Sequence, residues 1–286
     1  MELWLIFAIS CYLSYAISTI IDKHMMNLRY NIVFVNLIKT FFNGFILLII
    51  GFIFFAVDFT ENFTLIWFIP GIIYAYSSII YFIALSKKDV GQIIPSYQSI
   101  RLLFTFVASA IVFKEHLDGL DYFGVSLILI GSYFVLVEKR IGFFKIDKVS
   151  LLILILIPTD IINALIIKSL LYTVKPINLA TFMYFSGLIF LIIFFIVNRK
   201  KITYGIQQIK KICPKILGAS FFGALGTLLL FSALFFGNAT KVYPLDGLSS
   251  VFVFILAIVF LKEKFYLHRL GGTIVAVMGV FLLSQV

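Results

Sequence analysis

Four ionisable side chains are embedded in long apolar runs of this chain: Lys39, Arg101, Asp160 and Asp246. A charge inside hydrocarbon is costly unless it faces a cavity or an opposite charge, so each is a candidate functional position. Lys39 has Asn36 and Asn43 within one helical turn, on roughly the same face. Arg101 follows the polar run Ser96, Tyr97, Gln98 and Ser99, directly after Pro95. Asp160 stands in Pro158-Thr159-Asp160-Ile161-Ile162-Asn163, where the proline removes one helical hydrogen bond and bends the segment. Asp246 lies in YPLDGLSS behind Pro244. Tyr74, Ser77 and Tyr81 give the third segment a polar wall. These residues, with Asn163, are expected to line a cavity for a small molecule. Two basic centres favour an anionic or carboxylate-bearing substrate, and Asp160 is also a candidate proton carrier. Each position has a plainer alternative. Lys39 and Arg101 could snorkel to an interface or pair with a carboxylate. Asp160 could complete a structural ion pair, Asp246 could sit at the headgroup boundary, and Pro95 and Pro244 could simply open helices.

The elements that position them must be membrane spans. The mean hydropathy is +1.13, with 62% apolar and 13% charged residues. A soluble domain has about 25% charged residues, because its surface must face water. Cys11 and Cys213 are too few for a disulfide framework and read as buried small residues. The formal charge of +10 sits almost entirely between apolar blocks, without the aromatic-interleaved basic surface that stacks bases. Nucleic acid is therefore not an expected partner, whereas the lipid bilayer is. Leu3–Ile21 is too long for a signal-peptide core and reads as a retained first span.

Ten apolar segments emerge, near 3–21, 32–57, 63–84, 91–113, 119–137, 149–168, 176–197, 212–236, 240–261 and 268–285. Each is long enough to cross ~30 Å as a helix. The charged stretch 138–148 reads as a linker between two units, 1–140 and 146–286, and the polar stretch 198–211 has room for a short interfacial helix. Of the 23 Lys and Arg residues, only Lys114, Lys168, Lys175 and Lys241 fall in the even-numbered connections, and Lys39 and Arg101 lie inside spans. All the others lie at the odd-numbered connections. Positive residues stay in the cytoplasm, which predicts both termini outside the cell membrane.

An internal duplication organises the whole. Ile111–Phe134 carries Lys114–Glu115 and then Gly124 and Gly131; Val259–Leu282 repeats the pattern with Lys262–Glu263, Gly272 and Gly279. Pro95 and Pro244 precede the two copies at matching places. Lys114–Glu115 itself falls at a membrane boundary, where charge needs no further explanation. Five spans per unit is an odd number, so the second unit must be inverted relative to the first. That construction serves many alternating-access carriers, with substrate held near the midplane. The expected fold is all-α: ten transmembrane helices as two inverted five-helix repeats. Pro95, Pro158 and Pro244 are candidate kinks or gating points. Gly124, Gly131, Gly223, Gly272 and Gly279 are candidate packing positions, with Ala219, Gly223 and Thr227 in a small-xxx-small pattern.

At these duplicated prolines, Lys-Glu pairs and glycines, the chain resembles the drug/metabolite transporter superfamily, specifically the EamA-like permeases. The resemblance implies a secondary carrier for small metabolites or drug-like solutes. It also implies a central cavity ringed by spans one to four and six to nine, with spans five and ten at the edge, where a homodimer contact is an expectation. Relatives of this type have both termini in the cytoplasm, opposite to the charge count. No HExxH, CxxC pair, phosphate loop or GxSxG motif is present, and His24, His116 and His268 all lie near connections. No metal, cofactor or catalytic residue is expected. The rival classes are a channel or structural membrane protein and, further off, an intramembrane enzyme.

Overall fold

The computed structural model describes residues 2–28, 30–55, 64–87, 90–136, 148–198, 206–261 and 267–283. Side-chain surroundings are described for most of these, but not for 90–100. The expectations for the side chains of Pro95, Tyr97 and Gln98, and for Lys262–Glu263, therefore lie outside the described residues.

The described backbone is helical, and each helix begins or ends for a local reason. The first helix, α1 (Leu3–Asn27), runs past the polar trio Asp22-Lys23-His24. The apolar run suggested an end at residue 21, but the helix continues to Asn27, and the side chain of Asn31 accepts from the amides of Val33 and Phe34 at 3.0 and 3.2 Å to start α2 (Ile32–Ile50). A π-helical turn, Gly51–Phe55, extends α2. A 3-10 turn, Leu65–Trp67, leads into α3 (Phe68–Lys87), and α4 spans Val90–Phe113. The carboxylate of Asp121 reaches back to the Asp118 amide at 3.1 Å to open α5 (Gly119–Leu136). The sixth helix, α6 (Lys148–Leu170), continues through Pro158, and α7 (Pro176–Asn198) begins on a proline, which has no amide to orphan. The eighth helix, α8 (Ile206–Phe236), takes in residues 206–211 at the end of the polar stretch after span seven, and the rest of the interfacial-helix expectation lies outside the described residues. The ninth span is interrupted. A four-residue helix, α9 (Ala239–Val242), passes through a 3-10 turn containing Pro244 (Tyr243–Asp246) into α10 (Gly247–Leu261). The last span is α11 (Leu267–Leu283).

Among the described residues, six helical stretches are long and apolar enough to cross a membrane, and Arg101–Phe113, Gly119–Phe134 and Leu270–Leu283 are shorter apolar helices. Phe54, Ile111, Ile193, Phe260 and Phe281 are exposed large hydrophobics, as befits spans solvated by lipid. The buried core joins the two halves. It includes Trp4, Trp67, Ile128, Tyr184, Phe231 and Leu245.

The packing pairs obey the internal duplication. Exchanging spans one to five for six to ten maps α1 against α8 onto α6 against α3, and α3 against α7 onto α8 against α2. The same exchange maps α1 against the ninth span onto α6 against α4. The pairs α2–α7, α5–α11 and α4–span nine map onto themselves. This is a two-fold relation between units of odd span number, and it makes the protein two inverted five-helix repeats.

Candidate functional site

Two polar clusters lie within the bundle. The first is in repeat one, toward the connection between α1 and α2. The Lys39 ammonium pairs with Asp22 Oδ2 at 2.5 Å and donates to Ser18 Oγ at 3.0 Å. Asp22 is 1% exposed and Lys39 8%, so both charges are fully withdrawn from solvent. Ser18 in turn donates to the Ala219 carbonyl of α8 at 2.9 Å, and Ser220 donates to the Lys39 carbonyl at 3.3 Å. Met25, Met26, Val35, Phe82, Ile212 and Ile216 pack around this network as a separate apolar cluster. The structure thus places Lys39 in a closed ion pair with a neighbour in its own repeat.

From that pair a polar chain runs inward. Asn36 donates to Ser78 Oγ at 2.9 Å, and Thr40 approaches the Tyr74 hydroxyl at 3.5 Å. Asn43, with its amide nitrogen toward α8, donates to the Ser220 carbonyl at 2.9 Å. The Tyr74 and Tyr184 rings meet edge to face with centroids 4.9 Å apart. Tyr184 and Tyr15 both reach Thr227 Oγ, at 2.6 and 3.0 Å. Tyr81 lies apart from this chain and donates to Thr19 at 3.4 Å.

The second cluster is near the middle of the spans and crosses between repeats. The Arg101 guanidinium of α4 pairs with Asp246 of the 3-10 turn in span nine. Ser249 donates to the other Asp246 oxygen at 3.0 Å. Tyr243, one turn earlier, donates to the Ala164 carbonyl of α6 at 2.6 Å, and Tyr12 of α1 donates to the Val242 carbonyl at 3.0 Å. Asp160 of α6 accepts from Ser77 of α3 at 2.8 Å. The half-buried Asn163 has a carbonyl oxygen without a hydrogen-bond partner among the described residues. The interruption at Pro244 explains how Asp246 arrives here. The 3-10 turn tightens the backbone and redirects the side chains that follow it.

The structure therefore divides the sequence candidates. Arg101 and Asp246 are directly paired, Asp160 and Ser77 form a second pair, and Lys39, Asn36, Asn43 and Tyr74 belong to the other network. Pro158 lies exposed on α6. Asp22, Ser18, Tyr15, Tyr184 and Thr227 went unremarked as polar-site residues. Asp22 carried a usable signal, since it sits four residues from Ser18 and more than one turn before Asn27, where the helix ends.

The glycines also separate. A Cβ on Gly131 would lie 2.3 Å from the Ala276 amide nitrogen and 2.6 Å from the Gly272 carbonyl, and one on Gly279 would lie 2.5 Å from the Gly124 carbonyl. Backbone meets backbone there. At Gly223 the nearest atoms would be the Asn43 side-chain amide and Ser18 Oγ at 3.4 and 3.5 Å, which is ordinary contact. The tight positions on and near α8 are Gly226, against the Tyr15 ring, and Gly237, against Trp4. Gly71 and Gly187 form a further close crossing, between α3 and α7.

An all-helical, ten-span architecture of two inverted repeats, with charged and aromatic groups buried between them, is that of a polytopic membrane protein. The family profile of the EamA-like transporters matches residues 2–137 and 150–285, one copy for each repeat. The chain belongs to the EamA-like transporter family and is a multi-pass membrane protein. A curated relative is an uncharacterised protein of Methanocaldococcus jannaschii, 38% identical over 60 residues. That match spans 21% of this chain and 44% of the relative's length. A solved crystal structure shares the fold with a TM-score of 0.76 at 13% identity, over 99% of this chain and 96% of the other.

Proposed function

We propose that this protein is a secondary carrier of the cell membrane working by alternating access, with its substrate held between the repeats beside Arg101, Asp246, Asp160 and Ser77. The Arg101–Asp246 pair carries this reading. It joins α4 of one repeat to span nine of the other at mid-span, so relative movement of the repeats must stretch or break it. Its side chains retain 27% and 15% exposure, so the charges are within reach of a solute. A substrate carboxylate or other anion competes with Asp246 for the guanidinium and takes over its hydrogen bonds. Binding then costs little desolvation beyond what the pair has already incurred.

Asp160 is the proposed coupling group. Ser77 is one of its partners, and a protonated carboxyl keeps that hydrogen bond by accepting on one oxygen and donating with the other. The proposed orientation, from the distribution of basic residues, has both termini outside. The homodimer expectation is a separate proposal, tested by the mass of the solubilised protein.

A ligand-stabilisation screen on the purified protein identifies the solute, and counterflow in liposomes tests carriage. Saturable counterflow is the expected result; unsaturable conductance or product formation would move the protein to another class. Arg101→Ala is expected to abolish binding of an anionic ligand. Asp160→Asn is expected to leave counterflow intact while removing acceleration by a proton gradient. Unchanged binding and uptake in both variants would refute this cavity. Labelling of a single cysteine in the 7–8 connection settles orientation, and reaction from outside would overturn the proposed one.

A further inference from the structure

Sequence reasoning gives Lys114–Glu115 no chemistry beyond marking a membrane boundary, but the structure gives Glu115 three partners in the other repeat. Helix α4 ends at Phe113, and Lys114 adopts φ 49°, the left-handed conformation in which helices commonly terminate. That turn carries Glu115 across the repeat boundary to the start of span nine. Its Oε1 accepts from the Ala239 amide at 2.8 Å, and its Oε2 accepts from the Thr240 amide at 2.8 Å and the Thr240 hydroxyl at 2.5 Å. Asn238, the residue placed to cap α9, makes no side-chain cap bond. The cap comes instead from more than a hundred residues away. The next residue, Lys241, pairs with Asp121 of α5 at 3.1 Å. Two carboxylates of repeat one thus grip residues 239–241 of repeat two, on the side of the Arg101–Asp246 pair nearer the even-numbered connections.

We propose that Glu115 is an inter-repeat latch, which holds span nine against α4 and α5 while the even-connection face is closed and releases it when that face opens. The inference rests on the carrier reading above. A cap supplied by its own repeat would travel with the helix, whereas this one is satisfied only in the closed arrangement. Glu115 is only partly buried and lies at a span end, so water can replace its bonds on release. Lys168 of α6 donates to the carbonyls of Leu234 and Gly237 at 2.7 and 2.9 Å, which keeps the chain just before span nine anchored within its own repeat. The released segment therefore swings from Gly237-Asn238 without losing its foot.

Ser109 is a suitable reporter, being fully buried in α4 four residues before its end. Ser109→Cys is placed in the full-length protein lacking Cys11 and Cys213, in nanodiscs, and reaction with a membrane-impermeant maleimide is timed. Glu115→Gln is expected to speed labelling roughly tenfold by removing charge-assisted hydrogen bonds. Lys241→Met is expected to act in the same direction and less. Thermal stability is followed alongside. A lowered unfolding temperature with labelling at the parent rate would make Glu115 a static cap and overturn the latch. If Glu115→Gln does not fold, Thr240→Val removes the hydroxyl bond alone, and an unchanged labelling rate there overturns the latch equally. Labelling needs no solute, so intact counterflow with unchanged labelling refutes the latch alone. Faster labelling without counterflow refutes the carrier reading alone.

Discussion

Two of the places where the repeats meet, α5 against α11 and α4 against span nine, use opposite chemistry. In the first, Gly124 and Gly131 lie against Gly272, Ala276 and Gly279 closely enough that an added Cβ would strike backbone atoms. Such a seam is held by dispersion between closely approaching backbones, which falls off steeply with separation. The second carries Arg101 with Asp246 and Glu115 with two backbone amides, and beside it Lys241 pairs with Asp121 of α5. Water or a polar solute can substitute for each of those partners. Nothing but another close-packed surface substitutes in the glycine seam. On the proposed carrier reading, α5–α11 is the fixed seam and α4–span nine the separable face.

The largest effect that tests this contrast is expected from Gly131→Val. The new side chain would begin 2.3 Å from the Ala276 nitrogen, where only backbone displacement gives relief. Overpacking of this kind costs about 3 kcal/mol or more, read as a steep fall in unfolding temperature or loss of monodisperse protein. Near-normal stability would break the claim of a rigid seam. Arg101→Ala is expected to cost less, about 2 kcal/mol, because the pair is only partly buried and water screens the carboxylate left behind. Exchanging the charges with Arg101→Asp and Asp246→Arg together is expected to restore most of that stability but no uptake. Restored uptake would mean the pair is a structural tie only. Tyr243→Phe removes one hydrogen bond from span nine to the Ala164 carbonyl and is expected to cost about 1 kcal/mol by thermal unfolding. Gly223→Ala is expected to shift stability by less than about 0.5 kcal/mol, since its neighbours stand at ordinary contact distance. A large loss there would show that α8 also packs as a seam.

Much of the fold was legible beforehand, because span length and the solvent preference of each residue are local properties. Span ends were less so. The charged Asp22 suggested the end of α1, yet the helix continues because Lys39 neutralises that charge inside the bundle. The candidate site was legible as a set of residues and illegible as a set of partners. Lys39 looked equivalent to Arg101 in sequence, since both are cations in apolar runs. Arg101 pairs with a carboxylate of the other repeat, whereas Lys39 pairs within its own. Gly223 likewise looked equivalent to Gly131, though its neighbours are side chains at ordinary contact distance.

The sequence by itself determined the number of spans, their duplication and, through five being odd, the inversion of the second repeat. It also determined which charges had to find partners, because hydrocarbon penalises an unpaired ion wherever it lies. The tertiary structure alone decided who those partners are. Asp22 for Lys39, Asp246 for Arg101 and the Ala239–Thr240 amides for Glu115 depend on the rotation and register of helices distant in sequence. Rotation and register are fixed by backbone contacts such as Gly131 against Ala276, which hydropathy does not record.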